Sequence, residues 1–88
     1  MLDTKTTITG SIVQLSTKNQ PHKAIIEQVE VTLRIFGTTE MEKFVWFKKD
    51  YEYLGQIIFP ALITHNQVTL VYKTVNEINE ILSLNYTK

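Results

Sequence analysis

Two stretches of alternating side chains, residues 26–36 and 43–49, constrain the fold of this chain most strongly. In the first stretch Val29, Val31 and Leu33 alternate with polar or charged neighbours. Successive side chains of a β-strand point to opposite faces, so a period of two predicts a half-buried strand. The second stretch is short, apolar and aromatic, and it predicts a second strand joined to the first by a hairpin.

The two predicted strands have a core face and an outer face. We expect Val45 and Phe47 to lie on the core face. The outer face would then gather aromatic and basic side chains, which are Arg34, Phe36, Phe44, Trp46 and Lys48. Bases stack on aromatic rings, and cations pair with phosphates. The sequence therefore predicts a ligand-binding platform at these five residues.

The aromatic face could also have a structural role or form a protein interface. A shift of one residue in the strand register would move Trp46 into the core. Aromatic residues and arginine are also enriched at protein interfaces, where they carry much of the binding energy. Glu30 and Glu42 share the predicted outer face, and their carboxylates would repel phosphate.

Three further strands are predicted outside this pair. Residues 4–15 are rich in Thr, Ile and Val, with Gly10 marking a bulge or bend. Residues 68–73 and 80–86 predict the last two strands, with a polar connection over 75–79. The predicted core consists of Val29, Val31, Leu33, Val45, Phe47, Leu54, Ile58, Leu70, Leu82 and Leu84.

One helix is predicted near residues 51–63, where apolar side chains recur at spacings of three and four. Asp50 is the predicted N-cap. Pro60 lacks a backbone N–H and opposes a regular helix. A kink at Pro60 and a helix end near Phe59 are both compatible with this proline, and a strand over 56–63 is a further alternative.

The predicted order, β-β-β-α-β-β, resembles that of the oligonucleotide/oligosaccharide-binding fold, the OB-fold. That fold is a five-stranded, partly open barrel that binds ligands on strands two and three. The long first strand broken by Gly10 and the closing strands 68–73 and 80–86 carry the resemblance. It implies one domain over residues 1–88. A curved antiparallel sheet packed on one helix is the alternative fold.

Composition limits the possible partners. Nine basic and nine acidic residues cancel, which disfavours a binder of duplex nucleic acid, because phosphate contacts there need many cations. The chain has no cysteine, and we expect a cytoplasmic protein. No apolar run approaches the roughly 20 residues of a membrane span. The glycines are scattered singly, so the sequence predicts no glycine-rich loop for a cofactor. With only two histidines, it also predicts no metal site and no catalytic group.

These observations favour a non-catalytic module that binds single-stranded nucleic acid on the aromatic face. A protein-interaction or assembly module using the same face is the alternative, and carbohydrate binding also fits exposed aromatic rings. A homodimer is a further expectation, because a partly open sheet leaves strand edges that a second copy would cover.

Overall fold

The computed structural model describes residues 5–17, 28–48 and 51–87. The strands are β1 (Lys5–Thr17), β2 (Gln28–Ile35), β3 (Met41–Phe47), β4 (Gln67–Val75) and β5 (Ile78–Tyr86). Between β3 and β4, a 3₁₀ turn (Glu52–Leu54) leads into α1 (Gly55–Thr64). The predicted order of strands and helix is confirmed. The predicted N-cap Asp50 and the first two residues of the stretch predicted as a strand over 26–36 lie outside the described residues.

The five strands form a closed barrel in the order β1-β2-β3-β5-β4. β1 pairs antiparallel with both β2 and β4, which makes it the strand that turns the sheet back on itself. β5 pairs antiparallel with β4, and a single parallel bridge, Val45 with Glu80, joins β3 to β5. The predicted fold class, a five-stranded OB-like barrel, is therefore confirmed.

Gly10 does not form a bulge, which was one of the two features predicted for it, the other being a bend. It pairs regularly with Ile35 and Val68, and a Cβ at this position would collide with the backbone carbonyl oxygen of Arg34. Glycine thus permits close approach of β1 to β2. The bulge lies further along, where the pairing skips Val13.

Most of the predicted core is buried. The confirmed positions, which all belong to the core cluster, are Val29, Val31, Leu33, Leu54, Ile58, Leu70 and Leu84. Val45 is also buried, but it pairs with Glu30 on the face of β3 opposite to the predicted core face. Phe47 and Leu82 are only half-buried, so their prediction was wrong. A register shift opposite Val71 and Tyr72 makes Leu82 an extra residue in β5, and Ile81 takes the buried position instead.

α1 continues through Pro60 as far as Thr64, so neither a helix end near Phe59 nor a strand in this segment is correct. The Thr64 hydroxyl donates to the Pro60 carbonyl at 2.9 Å. His65 caps the C-terminus of the helix: it adopts a left-handed conformation with φ 59° and donates its backbone N–H to the Ala61 carbonyl.

The β4–β5 connection is tighter than predicted. Only Asn76 and Glu77 separate the strands, and both have positive φ, at 52° and 67°. Two such residues form the primed turn whose twist matches that of a β-hairpin. No helix among the described residues is long and apolar enough to span a membrane.

Candidate functional site

Phe44 and Trp46 do not lie on the outer face, and their predicted placement was wrong. Both are 0% exposed. Trp46 pairs with Val29 and Phe44 pairs with Val31, and residues directly opposite in an antiparallel pair share a face. The two aromatic side chains therefore point into the barrel with the valines of β2.

The buried indole of Trp46 is fully engaged. Its Nε1 donates to the backbone carbonyl of Tyr51 at 2.8 Å, and the Phe59 ring packs edge-on at 5.9 Å between ring centroids. The ring of Phe44 likewise packs edge-on against the ring of Tyr72, with 4.8 Å between ring centroids. No ring surface remains on which a base could stack, and a bound ligand cannot quench this tryptophan by direct contact.

The cause of the error lies in the sequence of β3. Residues Phe44 to Phe47 are apolar at every position. Alternation alone therefore does not say whether Phe44 and Trp46 or Val45 and Phe47 face the core. The hairpin register decides it. Arg34 pairs with Met41, and the Ile35 N–H donates to the Glu40 carbonyl at 2.9 Å, which places Phe44 rather than Val45 opposite Val31.

Arg34 and Phe36, by contrast, are brought together as predicted. Both line an open cleft of about 520 Å³ between the β2–β3 hairpin loop and the neighbouring strands. Phe36 is 62% exposed and Arg34 is also exposed. The cleft is lined by Ser11, Arg34, Ile35, Phe36, Gly37, Thr38, Thr39 and Gln67.

Three strands contribute a row of polar side chains to the cleft. Ser11 of β1 pairs with Arg34 of β2 on one side and with Gln67 of β4 on the other. Strands in a sheet are about 4.8 Å apart, so these side chains are close neighbours. The Ser11 hydroxyl already donates to the His65 carbonyl at 3.2 Å, whereas Arg34 and Gln67 are exposed.

The hairpin loop that holds Phe36 is fixed by hydrogen bonds. The Thr38 hydroxyl donates to the Ile35 carbonyl and accepts from the Glu40 N–H, both at 3.0 Å. The Phe36 N–H donates to the Thr9 carbonyl at 3.0 Å. Gly37 adopts φ 79°, which the turn requires. The aromatic side chain is thus presented from an ordered loop.

The electrostatics of the cleft come from Arg34. None of the described residues that line it is acidic. Arg34 makes no ion pair with any described residue, while Lys43 on β3 lies 3.7 Å from Glu30 and Lys73 lies 3.9 Å from Glu80. A planar guanidinium with five N–H donors suits a phosphate or carboxylate.

Lys48 is exposed but is not part of this cleft. It follows the end of β3, seven residues from Met41, which pairs with Arg34. That separation is about 23 Å along an extended strand. The predicted platform is therefore split: two residues at the cleft, two in the core, and Lys48 at the far end of β3.

A second, smaller groove of about 200 Å³ lies at the opposite end of β3. Its apolar lining comes from Phe47, Val75 and Ile78, with Glu80 and Asn76 beside them. Phe47 is thus the aromatic residue of β3 that is partly exposed. The core face of β3 holds Phe44 and Trp46 instead of the predicted residues, so Phe47 lies on the outer face.

Ser11, Gln67, Thr38 and Thr39 were missed as site residues. The run Gly37-Thr38-Thr39 next to Phe36 was a signal, since it marks the loop between two strands, and binding residues often lie on such loops. Ser11 and Gln67 gave no local signal, because only the pairing of three strands brings them beside Arg34.

No three of the His, Asp and Glu side chains in the described part of the chain come close enough to hold a metal ion. No protein-family model matches this sequence, and no curated protein matches it either.

Proposed function

We propose that this protein is a small, non-catalytic OB-like module that binds single-stranded nucleic acid at the cleft formed by Arg34 and Phe36. One observation carries the proposal: an exposed aromatic side chain and an exposed guanidinium without an ion pair among the described residues line the same ordered cleft. The OB-like strand order supports it, because that fold binds oligonucleotides on strand two and its neighbour.

Each side chain has a defined role in this proposal. The Phe36 ring stacks on one base, a contact worth about 1–3 kcal/mol that tolerates any base. The Arg34 guanidinium donates to a backbone phosphate. The Gln67 carboxamide can both donate and accept, which suits the hydrogen-bonding edge of the stacked base.

The balanced charge of the chain sets the expected salt dependence. Only one cation lines the described cleft, so few phosphates are neutralised on binding. For single strands, log K falls with log salt with a slope of about −0.7 per phosphate contact. The slope for this protein should be close to that of one or two contacts, far shallower than for a strongly basic binder.

The test is binding of a fluorescein-labelled short oligodeoxynucleotide, followed by anisotropy at several salt concentrations. Phe36→Ala should weaken affinity by about 5- to 150-fold, the equivalent of one lost stacking contact. Arg34→Gln should also weaken binding and should reduce the salt slope by about one contact.

Matched controls lie elsewhere on the surface. Tyr53→Ala removes an exposed aromatic side chain from the 3₁₀ turn, and Lys48→Gln removes an exposed cation from the end of β3. Both should leave affinity unchanged. The proposal is wrong if the wild-type protein binds no oligonucleotide at low salt, or if Tyr53→Ala weakens binding as much as Phe36→Ala.

A second candidate function is docking of a protein partner at the groove of Phe47, Val75 and Ile78. This apolar surface at one end of the barrel is the observation that favours it, since exposed apolar patches often mark interaction sites. Apolar docking responds little to salt. A partner whose binding depends on Phe47 but not on Phe36, at constant affinity from low to high salt, would favour this function.

Carbohydrate binding uses an exposed ring but needs no phosphate contact. Sugar binding that is lost in Phe36→Ala and is insensitive to salt and to Arg34→Gln would replace nucleic acid as the ligand. The proposed module carries out no reaction, and we place it in the cytoplasm, which suits a chain without cysteine.

A further inference from the structure

Gln67 brings an amide side chain to the cleft, and its carboxamide has no hydrogen-bond partner among the described residues. Its backbone, by contrast, is held on both sides. It pairs with Ser11 of β1, and its carbonyl oxygen accepts the Thr87 N–H at 3.0 Å. The barrel therefore fixes the position of the Gln67 backbone, while the exposed carboxamide is free to rotate.

The hydroxyl groups of the cleft leave little else with a fixed hydrogen-bonding pattern. Ser11 is 8% exposed, and its hydroxyl donates to a backbone carbonyl at 3.2 Å. The Thr38 hydroxyl both donates and accepts within the hairpin loop. The Thr39 hydroxyl can rotate, so it offers a donor or an acceptor in several directions. Planar hydrogen-bonding groups in the described cleft come from Arg34 and Gln67.

Arg34 and Gln67 lie on either side of Ser11 on the outer face of the sheet, because Ser11 pairs with both of them. Two strand spacings, about 10 Å, separate their backbones. The small Ser11 side chain leaves room between them, and Phe36 lies in the same cleft, two residues after Arg34. A nucleotide whose phosphate contacts Arg34 and whose base contacts Phe36 can thus present the edge of that base to Gln67.

We infer that Gln67 binds the base-pairing edge of the stacked base, so that the cleft selects unpaired bases but not their identity. Each of the four bases presents a donor beside an acceptor on this edge. A carboxamide does the same, and by turning over it matches either order. A base in a duplex uses this edge for its partner and is excluded. The inference rests on the proposed function and adds to it a cause for the preference for single strands.

Base tolerance is tested with fluorescein-labelled strands that carry a single base between abasic deoxyribose phosphates, followed by anisotropy. Adenine, cytosine, guanine and thymine should bind the wild-type protein with affinities that differ by less than about 5-fold, the smallest discrimination expected of a base-specific bidentate contact. A larger preference for any base would overturn the inference. A preference for guanine would indicate that Arg34 binds the base, since guanidinium groups recognise guanine O6 and N7.

The edge contact is tested with N3-methylthymine, in which a methyl group blocks the base-pairing edge but leaves the ring face and the phosphates. The wild-type protein should bind it at least about 5-fold more weakly than thymine. Gln67→Met keeps the length of the side chain without the amide and should bind the two bases equally. Gln56→Met, the matched control, changes an exposed glutamine of α1 and should still distinguish them. Equal binding of both bases by the wild type would overturn the inference.

Gln67→Glu should convert a tolerant site into a selective one. A carboxylate only accepts hydrogen bonds, and guanine alone presents two adjacent donors on its base-pairing edge, N1–H and the 2-amino group. The new charge repels phosphate and weakens all binding, yet guanine should be favoured over the other bases by about 5-fold or more. Hypoxanthine, which lacks the 2-amino group, should lose this advantage. Equal binding of guanine and hypoxanthine would contradict a contact at Gln67.

Failure of this inference and failure of the proposed function give different results. Gln67 is exposed, so its variants should keep the circular dichroism spectrum and the Trp46 emission maximum of the wild type. Binding that depends on Phe36 but is the same in Gln67→Met and the wild type for thymine and N3-methylthymine would remove only the edge contact. Absence of binding of any strand by the wild-type protein at low salt would overturn both.

Discussion

Aromatic side chains are fully buried inside the barrel but exposed at the cleft outside it. Inside, Trp46 is enclosed on all sides, with its N–H satisfied by Tyr51 and its ring against Phe59. At the cleft, Phe36 is fixed only through its backbone and loop, and most of its side chain faces solvent. The first aromatic residue is committed to stability, and the second is available to a ligand.

This contrast shows that an aromatic residue near a basic one is not by itself a binding site. Trp46 and Lys48 are close in sequence, yet the indole is in the core and the ammonium is outside. What distinguishes Phe36 is an ordered loop combined with an exposed side chain. Substitutions in the two regions test that division, beginning with the one that should cost the most stability, and one substitution outside both regions follows them.

Trp46→Ala should lose about 3–5 kcal/mol of unfolding free energy, because it removes the largest fully buried side chain and leaves a cavity. Phe36→Ala should change the unfolding free energy by no more than about 0.5 kcal/mol, as expected for an exposed position. Urea denaturation measures both. Equal losses in the two variants would remove the distinction between the barrel interior and the cleft.

Gly10→Ala affects both regions, since the new methyl group would collide with the backbone of Arg34 at the base of the cleft. We expect a loss of about 1–3 kcal/mol in stability, typical of overpacking. Affinity for an oligonucleotide should fall as well, because β2 must move away from β1. A melting temperature of Gly10→Ala equal to that of the wild type would show that the two strands do not approach each other this closely.

Thr38→Val removes the hydroxyl that fixes the hairpin loop and keeps the shape of the side chain. The cost should be about 0.5–1.5 kcal/mol, since this loop is exposed. Hydrogen exchange of the Glu40 amide should become faster. Thr38→Ser retains the hydroxyl and is the matched control. Unchanged exchange in Thr38→Val would mean that different contacts order the loop.

Glu77→Gly lies outside both regions and should be mildly stabilising. A residue other than glycine with φ 67° is strained by about 1–2 kcal/mol. Glycine relieves this strain but loses about 0.5–1 kcal/mol through its greater freedom when unfolded. A net gain of about 0.5–1 kcal/mol in chemical denaturation is expected, and a loss would contradict the primed turn.

The sequence was sufficient where its pattern was unambiguous. β2 alternates cleanly, and Val29, Val31 and Leu33 are buried as expected. Spacing in α1 likewise identified Ile58. In β3 every position from Phe44 to Phe47 is apolar. Which alternate side chains face the core therefore depended on the register of the hairpin, and a sequence pattern does not reveal that register.

The candidate site was predictable only in part for a related reason. Arg34 and Phe36 belong to one strand and its following loop, so local sequence placed them together. Ser11 and Gln67 reach the cleft through pairing of β1 with both β2 and β4. The bulge at Leu82 also arises from strand pairing. It places Ile81 in the core instead of Leu82, and the local sequence pattern does not indicate it.

Amide chemical-shift mapping during titration with a short single-stranded oligonucleotide would locate the binding surface residue by residue. We expect the largest changes in the hairpin loop from Phe36 to Thr39, with further changes at the Arg34 amide and the Gln67 side-chain amide. The indole N–H of Trp46, bonded to Tyr51 inside the barrel, should not shift. Changes centred on Trp46, or none in the loop at saturating oligonucleotide, would contradict binding at the Arg34–Phe36 cleft.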